Sequence, residues 1–295
     1  MRKHAVAAGL VLLCWVGAAQ AECNLRISEV RTGSILDYDP FRAGGSIGRM
    51  FVEVQNSGST SCRGRLVLET RGSTNLAMHG PGGSLIYRLR GPQRQYVRTT
   101  GAPADGVPFV AAAGRPTSVD FQVEVNEGQM MTPGVYLDNL RLVLLDAETD
   151  QVLQEVTGER IAAEVLPRVQ SNLAGTAGAF SPGATFSYMD FGILETGESQ
   201  SAFLQVRANT AVRIRVSSEN GGVLKHVEQP GLPSVAYTAR LDGVPADMSA
   251  PIEIMRRPPV RSTGTNYEIR VTIGDVRNKF AGRYRDTVTV EIDPQ

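Results

Sequence analysis

Across 295 residues, 30 Lys and Arg balance 30 Asp and Glu, so the chain has no net field with which to hold a phosphate backbone, and nucleic acid is set aside as a partner. Its 31 Gly and 16 Pro punctuate short Val, Ile and Leu runs that alternate with Arg, Gln, Thr and Glu. This is the pattern of many strands separated by turns, an all-β chain.

At the N-terminus Arg2, Lys3 and His4 precede an apolar run from Ala5 to Ala19 and an Ala19-Gln20-Ala21 cleavage site, the three parts of a secretory signal peptide spanning 1–21. The run is shorter than the roughly 20 helical residues that a bilayer needs. Leu13 before Cys14 and Glu22 before Cys23 do not fit a lipid-modified cysteine, which normally follows a small residue. Removal of the signal leaves Cys23 and Cys62 as the only thiols in a chain bound for an oxidising compartment, and they are expected to form one disulfide. A loop of about 40 residues closed in this way removes on the order of 4 kcal/mol of chain entropy from the unfolded state.

The remaining ~270 residues exceed one sandwich of ~100 residues and suit two. An internal repeat points the same way. Gly134-Val135-Tyr136-Leu137-Asp138 matches Gly282-Arg283-Tyr284-Arg285-Asp286, each followed by an alternating strand; Ser84-Leu85-Ile86-Tyr87 matches Ser234-Val235-Ala236-Tyr237; Phe51-Val52-Glu53-Val54 matches Phe203-Leu204-Gln205-Val206. The offsets are 148, 150 and 152 residues, which divides the chain into copies at 22–165 and 166–295. In the Gly-x-Tyr-x-Asp motif, Gly permits a turn with positive φ and the Tyr can bond back to nearby backbone, so Tyr136, Asp138, Tyr284 and Asp286 are expected to pin strand corners.

The copies differ after this strand. The first continues through Asp146–Asp150 into Val152–Val156 and Arg160–Val169, whereas the second reaches Gln295 a few residues after its matching strand. The spacing of Val152, Val156 and Val165 also fits a helix, and period alone leaves both forms open. The second copy is expected to be a sandwich without its last strand, exposing core and edge amides that invite strand addition by another chain. Phe203, Leu204, Val206, Val288, Val290 and Ile292 are the candidate lining of that acceptor groove.

Cys23, Tyr38-Asp39-Pro40, Cys62 and the two Gly-x-Tyr-x-Asp motifs, with Phe191-Gly192 and Thr287-Val288-Thr289-Val290 in the second copy, resemble the spore coat U family, the subunits of archaic chaperone–usher pili. The second copy lacks both cysteines and the Tyr-Asp-Pro turn. The resemblance implies two tandem immunoglobulin-like β-sandwich domains, an adhesin-like one and a pilin-like one completed by a neighbour's strand. Only Glu22 separates the expected cleavage site from Cys23, so the chain is similar to a two-domain tip adhesin, which accepts a strand and donates none. The partners so implied are a periplasmic chaperone, an outer-membrane usher, the neighbouring pilus subunit and an unidentified surface or host receptor. The location implied is the pilus tip at the cell surface, with a role in attachment or biofilm formation. Adhesins of this class present apolar loop tips, and the candidates are Pro108, Phe109 and Val110 in one segment and Met130 and Met131 in another. The same side chains could instead tuck into the sandwich.

Gly44-Gly45-Ser46-Ile47-Gly48 matches the G-x-S-x-G nucleophile pattern, but the motif needs a strand before it and a helix after it, and Met50–Val54 alternates like a strand. His79 and His226, the histidines outside the signal, fall one in each copy. No cofactor, metal-spaced histidines or catalytic residues are expected. Two other non-enzymatic functions fit the composition: a free-standing coat or matrix protein, and a carbohydrate-binding module. The latter has few rings to work with, since aromatics are 6% of the chain and Trp15 lies in the signal.

Overall fold

The computed structural model describes residues 23–70, 76–97, 106–174 and 187–295; the expected signal segment 1–21 lies outside them. The described elements are all strands. In chain order the first ten are β1 (Leu25–Thr32), β2 (Leu36–Tyr38), β3 (Ser46–Asn56), β4 (Cys62–Thr70), β5 (Ala77–Gly80), β6 (Gly83–Arg90), β7 (Val107–Ala111), β8 (Pro116–Val125), β9 (Gly134–Asp146) and β10 (Val152–Val165). The second ten are β11 (Val169–Ala174), β12 (Ser199–Ala208), β13 (Val212–Ser218), β14 (Val223–His226), β15 (Val235–Leu241), β16 (Val244–Ala246), β17 (Ile252–Arg256), β18 (Thr265–Ile273), β19 (Tyr284–Arg285) and β20 (Val288–Pro294). No described strand of one set pairs with a strand of the other.

In the first set β1-β3-β8-β6 form one run of neighbours, and β5-β9-β10-β2 continue it, with β4 between β9 and β7. Period-2 alternation drives the layering: Met50, Val52 and Val54 on β3, Leu66 and Leu68 on β4, and Phe121, Val123 and Val125 on β8 all point into one core with Tyr38, Tyr87 and Tyr136. The Cys23–Cys62 disulfide ties the chain ahead of β1 to the start of β4, across 39 residues. The second set repeats the plan, with β11-β12-β18-β15-β14-β19 in one layer and β17-β13-β20 in the other. Leu204, Val206, Ile214, Val216, Tyr237, Ile269 and Ile273 form its core.

Three expectations are corrected or resolved here. Val152–Val165 is a strand, not a helix, because its amides pair with β9 over nearly its whole length. Pro108, Phe109 and Val110, expected as an exposed loop, lie within β7, an edge strand paired to β4. Pro108 suits an edge, where a lost donor costs no ladder bond and discourages further pairing, while Phe109 packs over Gly64 against the core. Ser46 opens β3 and its hydroxyl donates to the Asp37 carbonyl at 2.8 Å, so the nucleophile-like motif leads into a strand.

Candidate strand-acceptor site

Strands β9 and β20 occupy the same place in their copies, 148 residues apart. β9 is paired on one side to β4 (Gly64↔Asp146 to Thr70↔Leu140) and on the other to β10 (Val152↔Leu145 to Val165↔Gly134). β20 is paired to β13 (Val212↔Pro294 to Ser218↔Val288), and no described strand takes its other side. β11 likewise pairs on one side only, with β12. It approaches β20 without sharing a ladder with it. Each thus leaves one edge without a partner among the described strands, and the expected acceptor slot would lie between these two edges.

Exposure follows from this. Leu140, Leu142 and Leu144 of β9 are 1%, 0% and 0% exposed; their counterparts are Val288, 37% exposed, and the half-buried Val290 and Ile292. In the first copy β10 delivers Ile161, Ala163 and Val165 to the core, with Leu153 and Val156 packed at its margin. The second copy has Val169 and Leu173 of β11, and Met189, Phe191 and Leu194 ahead of β12, half-buried around a core that receives no such strand. β2 makes a parallel pair with β10 through Leu36, Asp37 and Tyr38, whereas the corresponding residues Ser187–Met189 form no strand and Tyr188 is 86% exposed.

The expected lining residues divide. Val288, Val290 and Ile292 lie on β20, the strand paired on one side only among the described residues. Leu204 and Val206 are fully packed in the core, on β12. Phe203 lies on the opposite face of β12, 44% exposed and turned away from the core, because strand alternation puts it out of phase with Leu204. Sequence reasoning missed β11, whose Val169-Gln170-Ser171-Asn172-Leu173 run holds only two large apolar residues and gives a weak period-2 signal.

The corner motif is bonded in both copies. Tyr136 donates its hydroxyl to the Thr132 carbonyl (2.9 Å) and accepts from the Gly82 amide (3.0 Å); Tyr284 donates to the Phe280 carbonyl (3.0 Å), again four residues back. Gly134 and Gly282 have φ of 138° and 151°, backbone that a side chain would strain. The Asp of each motif accepts the phenol of the matched upstream Tyr: Tyr87 to Asp138 at 2.8 Å and Tyr237 to Asp286 at 2.6 Å. Burial, then the neighbouring carboxylate, pushes the Tyr87 phenol well above its ordinary range, and burial and the Asp286 bond push Tyr237 the same way.

Met130 and Met131 are half-buried. Met131 packs on the first core, and its carbonyl accepts the Asn209 side-chain amide at 3.1 Å. The expected exposed tip is therefore an irregular segment whose Met131 carbonyl lies at the junction of the copies. Asn209, 1% exposed, also donates to the Leu166 carbonyl (2.9 Å) and accepts the Arg168 amide (2.7 Å). Arg168 pairs with Asp39 at 2.7 Å.

No protein-family model matches the chain, and no curated protein sequence does. Among solved structures, a chain of the CsuC–CsuE chaperone–tip adhesion subunit pre-assembly complex, from archaic chaperone–usher Csu pili of Acinetobacter baumannii, is similar at 15% identity and TM-score 0.45, over 78% of this chain and 84% of that one. The CupB6 tip adhesin of Pseudomonas aeruginosa is similar at 10% identity and TM-score 0.39, over 91% and 94%. CfaE, the adhesive subunit of CFA/I fimbria of enterotoxigenic Escherichia coli, is similar at 12% identity and TM-score 0.36, over 90% and 94%.

Proposed function

We propose that the chain is a tip subunit and adhesin of an archaic chaperone–usher pilus. In this role its second copy accepts a strand beside β20, first from a periplasmic chaperone and then, at the outer-membrane usher, from the neighbouring subunit. The first copy faces outward and attaches. The observation that supports this reading is the contrast between β9, held on both sides, and β20, held on one. An open edge above half-buried Val290 and Ile292 presents unpaired amides and apolar surface together, the two features that strand addition satisfies.

The first copy supplies its own test. Ala147–Val165 carries the turn and strand that close β9, and β20 ends in the register at which β9 enters that turn. Gln295 stands in the place of Ala147, each amide donating to the matched carbonyl of Ala211 or Arg63, so appending Glu148–Val165 after Gln295 should give the second copy a strand of its own. The unaltered chain is expected to associate or aggregate when purified alone, and the extended chain to be monomeric. The gain should be on the order of 5 kcal/mol in the unfolding of the second copy, the worth of about three newly buried apolar side chains. Hydrogen exchange reads the same edge directly: amides of β20 should gain protection in the extended chain. An unaltered chain that is monomeric, with β20 amides as protected as those of β9, would remove the reading.

A further inference from the structure

The outer face of the β1-β3-β8-β6 layer carries a cationic cluster that the second copy does not repeat. Two ladder rows cross it. One runs Arg90–Gln122–Arg49 and the next Arg88–Glu124–Ile47. Beyond β6 the chain turns back and sets Tyr96 opposite Arg90 at the end of the first row. The Arg90 guanidinium lies 4.6 Å from the Tyr96 ring centroid and donates to its hydroxyl at 2.7 Å; that of Arg88 lies 5.4 Å from the same centroid. Glu124, the carboxylate within the cluster, pairs with Arg90 at 2.7 Å. Among the described residues Arg88 and Arg49 have no carboxylate partner and both are exposed. Tyr96 is 51% exposed.

The repeat provides an internal control. The same two rows in the second copy read Arg240–Arg270–Ser201 and Thr238–Thr272–Ser199. There both cations are satisfied within the chain: Arg240 donates to the Gly243 carbonyl at 2.6 Å, and Arg270 pairs with Glu268 at 2.8 Å. Ser199 and Thr272 bond each other at 2.7 Å. A shared sheet architecture therefore does not require free arginines or a ring on this face.

We infer that Arg49, Arg88 and Tyr96 form a binding site for an acidic polysaccharide, one bearing carboxylate or sulfate groups. Strand spacing and rise put Arg90 and Arg49 roughly 10 Å apart and Arg88 and Arg90 roughly 7 Å apart, so one small anion cannot meet all three, whereas a chain with repeated acid groups can. The half-exposed ring offers sugar C–H groups a stacking surface. Gln122 and Glu124, between the arginines, give hydroxyl groups an acceptor and a donor that a plain charge patch would not. The interrupting carboxylate and the short span disfavour a nucleic-acid backbone, which needs an unbroken basic track. The site lies on the copy opposite the strand-acceptor slot and stands whether or not a strand is accepted there.

The test is retention of the full chain on heparin and on polygalacturonate beads, with neutral dextran beads and phosphatidylserine vesicles as the other arms. Binding to one or both acidic polysaccharides, released by salt, is expected. The double substitution Arg49→Ser with Arg88→Thr installs the residues of the second copy and should weaken it about tenfold, the scale of two exposed ion pairs. Tyr96→Ala should weaken it too, and Tyr96→Phe less. The charge-matched pair Arg257→Ser with Arg285→Ser, on the other copy, should leave it unchanged. Equal retention on dextran, unchanged affinity in the first pair, or an equal loss in the control pair would overturn the proposal. Binding to the vesicles alone, lost with the first pair, would overturn it in favour of a membrane surface.

Discussion

Two strands that begin from the same Gly-x-Tyr-x-Asp corner end in different surroundings. β9 is sealed between β4 and β10, while β20 has β13 on one side and no described strand on the other. The corners themselves differ too. Tyr136 is fully buried on Gly80, where a Cβ would lie 2.7 Å from its ring. In the second copy His226 takes the place of Gly80, and Tyr284 sits half-exposed with its ring edge-on to the imidazole, centroids 5.2 Å apart. Both tyrosines nevertheless keep the bond to the carbonyl four residues back. The turn is thus set by local chemistry that survives a change of packing, whereas burial of the strand that follows depends on whether a neighbour covers it.

The difference can be widened by removing the staple that only the first copy has. Replacing Cys62 by Ser should destabilise the first copy by about 4 kcal/mol, the loop-entropy scale for a closure of this length. The unfolding of the second copy, followed by hydrogen exchange of its amides, should be unmoved. Loss of protection in both copies at once would mean that the junction at Asn209 and Arg168 makes them a single cooperative unit.

A smaller contrast lies at matched core positions. Leu142→Ala should cost about 3 kcal/mol, because the site is fully packed and cannot collapse. Val290→Ala, at the corresponding place, should cost less than about 1 kcal/mol in the chain as it stands, since Val290 already meets water. Once the strand copied from Glu148–Val165 is appended, the cost at Val290 should rise toward about 2 kcal/mol. A Val290 cost that the added strand does not change would show that the slot is not where it binds.

The strand content and the repeat were legible because period-2 alternation and the Gly-Tyr-Asp spacing are local signals. The open edge followed from comparing the two copies, which also put Val288, Val290 and Ile292 on the strand that carries it. Phe203 was misassigned for a reason of parity: its apolar character suggested the interior, but Leu204 and Val206 fix the inward phase of β12, and Phe203 must face out. The loop assignment at Pro108–Val110 failed because a proline beside a phenylalanine reads as a turn, while an edge strand tolerates both. Met130 and Met131 fall in the irregular stretch ahead of β9, and the bond of the Met131 carbonyl to Asn209 joins one copy to the other, which leaves no periodic trace. The Arg49–Arg88–Tyr96 cluster was invisible for the same reason: its members come from three separated segments brought into two rows by ladder register.

The smallest expected effect concerns the Tyr–Asp pairs that tie the repeated landmarks together. Asp138 accepts the Tyr87 phenol and the Asn139 amide. Asp286 accepts the Tyr237 phenol, the Ser218 hydroxyl (2.6 Å) and the Asn220 and Thr287 amides (3.0 and 2.8 Å). Tyr87→Phe should therefore cost about 2 kcal/mol, typical of a bond to a charged acceptor left short of partners. Tyr237→Phe should cost less, because the other three donors remain. Alkaline pH provides a second measure. Both phenols are held protonated in the folded chain, with pKa values raised above the ordinary value of about 10. Their contribution to stability is complete below that value, and it is lost as pH rises toward the folded pKa because the unfolded chain ionises first. The decline above pH ~10 should draw one proton from each phenol and continue to higher pH for Tyr87, the more deeply buried, and Tyr87→Phe should flatten it in the first copy. A slope that Tyr87→Phe leaves intact would mean that this phenol does not set the alkaline limit of the first copy.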